Sequence, residues 1–207
     1  MQRISSKPKP PTTFLKVPHI KQSSETSCGA AALSMVYKYY ELDNQTEDAI
    51  WTRLKRTRNL SPDQEIIYAN DLYNDIKNND LHNIKGQAVW EEPDKIFALL
   101  KEFLRIKAPL IACQRWRKNK LFGHYKIVIG LDEGFVIVND PELEVNETKI
   151  PKDQFVLDWQ KYSDEAPGGL FIAALNEKQA KEIRKLPLMN FLADIKYFEA
   201  SNLKFLL

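Results

Sequence analysis

The change of hydrophobic period along the chain constrains the fold more than any other feature of the sequence. Apolar residues recur at helical spacing in the first half and give way to β-branched runs in the second. Gly29 to Tyr40 reads as a helix carrying Ala30, Ala31, Ala32, Leu33, Met35 and Val36. Thr46 to Arg56 reads as a second, with Thr46 as N-cap and Glu47 and Asp48 in its first turn. A third is expected from Ser61-Pro62-Asp63 to about Lys77. A fourth starts at Pro93, with Ile96, Leu99, Leu100 and Phe103 on one face. Beyond it, Pro109 to Arg115, His124 to Leu131, Phe135 to Val138 and Leu170 to Leu175 read as strands. The second and third of these flank Asp132-Glu133-Gly134 and form a hairpin. Helices followed by strands predict an α+β fold with an antiparallel sheet.

The ends read differently. Residues 1 to 13 are polar and Pro-rich and read as a flexible arm. Phe14 to Ile20, broken by Pro18, suits an edge strand or an extended segment. Residues 176 to 207 read as a helical extension ending in the apolar Leu203 to Leu207, so the domain proper is expected over 14 to 175. With 30 Lys and Arg against 28 Asp and Glu, the net charge of +2 gives no general attraction to nucleic acid. No apolar run approaches the ~18 residues of a membrane-spanning helix, and the first residues lack the apolar stretch of a signal peptide. The chain is expected to stay in the cytoplasm, to leave by a route without such a signal, or to have lost a leader.

Two cysteines cannot build a disulfide framework, and they lack metal-ligand spacing, so no cofactor or metal is expected. Cys113 lies in the apolar run Ala108 to Cys113 and reads as buried core. Cys28 lies in a polar turn just ahead of the first helix. A helix N-terminus carries partial positive charge and unpaired N–H groups, which stabilise a thiolate. Gly29 would leave room for a substrate backbone, and the Cys28 N–H would face a developing oxyanion. The alternative reading is a cysteine that merely caps the helix.

Of three histidines, His19 reads as surface or edge and His82 as part of a polar surface loop. His124 begins the first hairpin strand, where the strand behind it fixes its position. A turn at Asp132 to Gly134 pairs His124 with residues 140 to 142, which puts Asp140 within a position or two. Cross-strand neighbours lie about 5 Å apart at Cβ, the reach a carboxylate needs to hold an imidazole N–H. Gln22, six residues before Cys28, could turn its amide onto the same oxyanion.

Val17-Pro18-His19-Ile20-Lys21-Gln22-Ser23-Ser24-Glu25-Thr26-Ser27-Cys28-Gly29, Gly123-His124-Tyr125-Lys126-Ile127 and Asn139-Asp140-Pro141 together resemble the motifs of the bacteriocin-processing (double-glycine leader) peptidases and their stand-alone bacterial relatives. These are papain-like cysteine peptidases. The resemblance implies a papain-like fold over about residues 14 to 175, with Gln22 in the oxyanion hole, Cys28 as nucleophile, His124 as base and Asp140 as orienter. It departs at Ala30, where the family often has Pro; both suit a first helical turn. The transporters' membrane and nucleotide-binding domains are not present in this sequence, so coupled export is not expected. The expected partner is a protein or peptide substrate. A non-catalytic peptide-binding module, or a deubiquitinase, deamidase or acyltransferase using the same site, would share the fold.

Overall fold

An eight-stranded antiparallel sheet organises the described residues. The computed structural model describes residues 13–56, 65–88, 91–117, 123–160, 168–185 and 195–200. Its helices are α1 (Cys28–Tyr39), α2 (Glu47–Arg56), α3 (Ala69–Asn78), α4 (Pro93–Arg105), α5 (Lys152–Asp158) and α6 (Glu177–Lys185). Its strands are β1 (Thr13–Phe14), β2 (His82–Ala88), β3 (Leu110–Arg115), β4 (Gly123–Leu131), β5 (Phe135–Asn139), β6 (Thr148–Pro151), β7 (Leu170–Leu175) and β8 (Ile195–Ala200). The strand order is β6-β5-β4-β3-β7-β2-β8, with β1 also paired to β4. The α+β class with an antiparallel sheet is therefore as the sequence predicts.

Strand periodicity decides which helices lie on which face. Ile111, Cys113, Tyr125, Ile127, Ile129, Ile137, Ile172 and Ala174 share one core with α1, α2 and α3. Their strand neighbours Leu110, Ala112, Val128, Val136, Val138, Phe171 and Ala173 join the other core, with Phe103 of α4, Phe155 of α5 and Ile183 of α6. Both faces are covered, so these strands read as nearly continuous apolar runs rather than alternating ones.

The first, second and fourth helices form where expected, and Thr46 Oγ1 caps α2 by accepting from the Ala49 N–H at 3.2 Å. Three expectations are corrected. The third helix starts at Ala69, not near Ser61, which lies outside the described residues. Residues 65–68 lie outside any helix, with Ile67 packed by Gly29 and Tyr125 and its carbonyl accepting from Tyr125 Oη at 3.2 Å. His82 opens β2 rather than sitting in a loop, and donates Nε2 to Glu177 Oε2 at 2.7 Å. The polar and glycine residues of β2, Asn83, Lys85, Gly86 and Gln87, hide its period. Third, 176–207 is not helical throughout: Ile195–Ala200 is β8, antiparallel to β2. The proposed arm at 1 to 12 and the tail at Leu203 to Leu207 lie outside the described residues.

Gly169 closes the sheet around β2. It holds φ at +77°, and a Cβ there would lie 2.0 Å from the Ala88 carbonyl oxygen. Its own carbonyl accepts from the Ala88 N–H at 2.9 Å. Only glycine meets both demands.

Candidate active site

Cys28 is the first residue of α1. Serine normally caps such a helix, but Ser27 makes no cap bond. Its hydroxyl turns back on the preceding turn, donating to the Ser24 carbonyl at 3.1 Å and accepting from the Ser24 N–H at 3.0 Å. The first turn of α1 also carries no acidic residue. The positive end of the helix is thus left to Cys28 and whatever lies against it. Gly29 serves packing rather than substrate approach: a Cβ there would meet Ile67 and the Tyr125 ring at 3.3 Å. The sequence expectation for Gly29 is corrected accordingly.

His124 is the second residue of β4, at the rim of the sheet. It is buried, as is Asp140 just past β5. The hairpin register pairs Ile127 with Asn139, so Asp140 stands opposite Lys126, two residues from His124, as the sequence anticipates. His124 Nε2 donates to Asp140 Oδ1 at 2.6 Å. The Cys28 side chain is close enough to act on the same ring; with Nε2 committed to Asp140, Nδ1 is the ring nitrogen left to face it. The imidazole is therefore held by the carboxylate and influenced by the sulfur.

Burial opposes charge on His124, but the Asp140 and Cys28 side chains outweigh it and raise its pKa to about 9. Burial likewise works against the Asp140 carboxylate. The hydrogen bond and charge of His124, the Lys126 ammonium and the Glu142 N–H outweigh it and lower its pKa to about 2. The arrangement favours an imidazolium held against a carboxylate.

Asp140 itself is clamped by the extended segment that precedes α1. Asn139 Nδ2 donates to the Val17 carbonyl at 2.9 Å. His19 Nε2 donates to the Asp140 carbonyl at 3.1 Å. The Gln22 N–H donates to the Pro141 carbonyl at 2.8 Å. His19 is thus a support of the carboxylate loop rather than a plain surface residue. Gln22 sits in the same ladder, but its side-chain amide donates to the carbonyls of Ser24 at 2.8 Å and Glu25 at 3.2 Å. Both amide protons are spent on the loop.

Two supports escaped the sequence reading. Lys126, buried, places Nζ 3.4 Å from Asp140 Oδ2. The signal for it was a lysine two residues past His124, on the same strand face, inside an otherwise apolar run. Glu142 returns its N–H to Asp140 Oδ1 at 3.0 Å and accepts from Trp116 Nε1 at 3.1 Å. His124, Asp140 and Glu142 each offer a ligand atom within 4.8 Å of one another. A cation there would have to share Asp140 with the Lys126 ammonium, which opposes it.

A cysteine at an open helix N-terminus and a buried histidine–carboxylate pair, on an α+β scaffold of this kind, are features of a cysteine-peptidase-like protein. Residues 14–167 match the Peptidase_C39 like family, and the chain belongs to it. It is 30% identical over 138 residues to the pediocin PA-1 transport/processing ATP-binding protein PedD of Pediococcus acidilactici, covering 67% of this chain and 17% of that protein. It is 25% identical over 182 residues to a lactococcin transport/processing ATP-binding protein LcnC-like of Lactococcus lactis, covering 86% of this chain and 22% of that one. The chain therefore spans about a fifth of the length of these relatives. Among solved structures, it resembles the peptidase domain of Streptococcus ComA, a bi-functional ABC transporter (TM-score 0.58, 22% identity, 77% of this chain and 99% of that one). It also resembles a C39-like peptidase from Bacillus anthracis (TM-score 0.58, 14% identity, 81% and 98% covered). These likenesses bear out the papain-like peptidase fold expected from the motifs.

Proposed function

We propose that the chain is a cysteine peptidase that cleaves a peptide substrate through Cys28, His124 and Asp140. The observation that carries this reading is the buried His124 ring, hydrogen-bonded to Asp140 at 2.6 Å, with the Cys28 side chain acting on the same ring. The names of the curated relatives, which join transport to processing of bacteriocins, agree with a peptide as substrate.

The Cys28 thiolate attacks the scissile carbonyl carbon and the C=O π pair moves to oxygen. As first residue of α1, Cys28 has no helical acceptor for its own N–H, which faces that oxyanion. Gln22 is the second donor, and to act it must swing Nε2 away from the Ser24 and Glu25 carbonyls. The His124 imidazolium gives its proton to the leaving amine and the C–N bond breaks, leaving a thioester on Cys28. Water, deprotonated by the now neutral His124, attacks the thioester and releases the acid and the thiolate. Asp140 holds Nε2–H throughout, which keeps Nδ1 directed at sulfur.

Incubation with a mixed peptide library, read by mass spectrometry, tests the reading. The parent should release products and Cys28→Ala should release none while keeping its melting temperature. Equal cleavage by the two proteins would remove Cys28 as nucleophile.

A further inference from the structure

Beside the His124–Asp140 pair lies a cavity of about 290 Å³. Its walls include His124, Asp140, Lys126, Arg115, Thr148 and Gln154, drawn from β3, β4, the turn after β5, β6 and α5. Cys28 is not among them, so the cavity adjoins the hydrolytic centre without being the point of attack. A space of this size takes one amino-acid side chain or a few waters.

The charges around it are unevenly satisfied. Arg117, at the mouth, is spent on Asp158 at 2.6 Å, and Lys149 faces Asp132 at 3.6 Å. Asp140 is already held by His124 and Lys126. Arg115, in contrast, has its Nε buried with no hydrogen-bond partner among the described residues, and Thr148 Oγ1 is in the same state. Lys126 is only 5% exposed, and its ammonium meets Asp140 at the long distance of 3.4 Å. Three donors of one cavity thus lack a full complement of acceptors, and Glu142, the other carboxylate on its wall, accepts from Trp116 Nε1 at 3.1 Å rather than from any of them. Buried donors without acceptors are rare unless a ligand completes them. The group that would complete an arginine N–H, a hydroxyl and an ammonium is an acceptor-only oxyanion, and a carboxylate fits the arginine best.

We propose that this cavity is a carboxylate-binding subsite that takes the acidic side chain of a peptide ligand, held by Arg115, Lys126 and Thr148. The proposal rests on the peptidase reading only in taking the ligand to be a peptide. An occupant here lies against the His124–Asp140 pair, so the subsite would select substrates with Asp or Glu near the scissile bond.

The test uses the full chain with Cys28→Ala and three probes in amide and side-chain NMR titrations. N-acetyl-glutamate N-methylamide carries only a side-chain carboxylate, N-acetyl-glutamine only an α-carboxylate, and N-acetyl-glutamine N-methylamide neither. The first should shift the Arg115 Nε–H resonance and the amides of residues 148 to 150 saturably; the third should not. Arg115→Gln should weaken that binding at least tenfold, Arg115→Lys should restore part of it, and Lys185→Gln, far out on α6, should leave it unchanged. Retained amide dispersion shows that each variant is folded. Binding of N-acetyl-glutamine alone would overturn the side-chain assignment in favour of a peptide C-terminus. Binding of no probe, or equal binding by Arg115→Gln, would overturn the subsite altogether. Binding of the first probe by the Cys28→Ala chain, with no cleavage of the peptide library by the parent, would leave the subsite standing and remove the peptidase reading instead.

Discussion

Cys28 and Cys113 are equally hidden and chemically unlike. They are 8% and 6% exposed and belong to the same core cluster. Cys113 lies within β3, directly across from Tyr125, in the core shared with α1, α2 and α3. Cys28 opens a helix whose natural serine cap has been diverted, and its side chain meets an imidazole held by a buried carboxylate. The lesson is that equal burial does not mean equal surroundings: one sulfur is enclosed by packing and the other lies by a buried imidazole.

The same contrast runs between two buried carboxylates. Asp75 receives Arg53 Nε at 2.6 Å and Nη2 at 2.9 Å, the Tyr37 hydroxyl at 2.8 Å and Asn79 Nδ2 at 3.4 Å. That network ties α1, α2 and α3 together around a cation that never gives up its proton. Asp140 takes its closest bond from a histidine, whose proton can be passed on. One carboxylate closes a structural network around an arginine, and the other is bonded to a histidine, the role proposed for it being to hold that ring.

The largest effects should separate the members of each pair. Cys28→Ala should abolish peptide hydrolysis with no loss of stability, whereas Cys113→Ala should keep hydrolysis and lose on the order of 1 kcal/mol through a small cavity. Comparable activity in the two variants would erase the distinction between the thiols. Asp140→Asn should lower kcat by roughly 10³- to 10⁴-fold, because the amide permits the wrong imidazole tautomer. Asp75→Asn should instead cost about 2 kcal/mol, since it leaves Arg53 short of its charge partner, with activity of the folded protein intact. Steady-state kinetics and thermal melts on both variants test this, and a stable but inactive Asp75→Asn would contradict it.

Next in size is the pH dependence. Asp140, its pKa lowered to about 2, contributes stability that is present above the ordinary carboxylate range and lost as pH falls through about 2. His124, raised to about 9, contributes stability that is whole below its ordinary pKa near 6.5 and lost as pH rises through about 9. The pair is therefore complete between roughly pH 4 and 6.5 and is dismantled from opposite ends. The kcat/KM profile should fall on its alkaline side near pH 9, and Asp140→Asn should move that limb to lower pH by removing a group that raises His124. An alkaline limb unmoved by the substitution would show that another group sets it.

The smallest effect is expected at Asp132, in the turn of the same hairpin. Its Oδ1 accepts from the N–H groups of Gly134 at 3.0 Å and Phe135 at 2.8 Å, and an asparagine oxygen can do the same. With a strand rising about 3.3 Å per residue, it lies roughly 25 Å from His124. Asp132→Asn should leave kinetics unchanged, which makes it the control for Asp140→Asn.

The sequence made this hairpin legible because β4 and β5 are β-branched and their turn fixes the register. Cys28 was legible because a polar turn precedes an unmistakable apolar helix. Other parts lay in long-range contacts that no local pattern reports. β2 carries buried polar residues whose partners come from other segments, such as Asn83, which donates to the Tyr73 carbonyl at 2.6 Å. The non-helical run at 65–68 has Ile67 packed on α1 and β4, and tertiary contact there overrides the local helical signal. The state of the Gln22 amide depends on which carbonyls the folded loop presents, so spacing could nominate the residue but not its hydrogen bonds.

The central claim is that Cys28 owes its chemistry to His124 and Asp140 rather than to exposure. Competitive alkylation of the folded chain by iodoacetamide at neutral pH, with peptide mapping of both cysteines over time, tests it most directly because the two thiols are almost equally buried. The expected result is modification of Cys28 at least tenfold faster than Cys113, with the preference reduced in Asp140→Asn. Equal rates, or faster labelling of Cys113, would contradict the account.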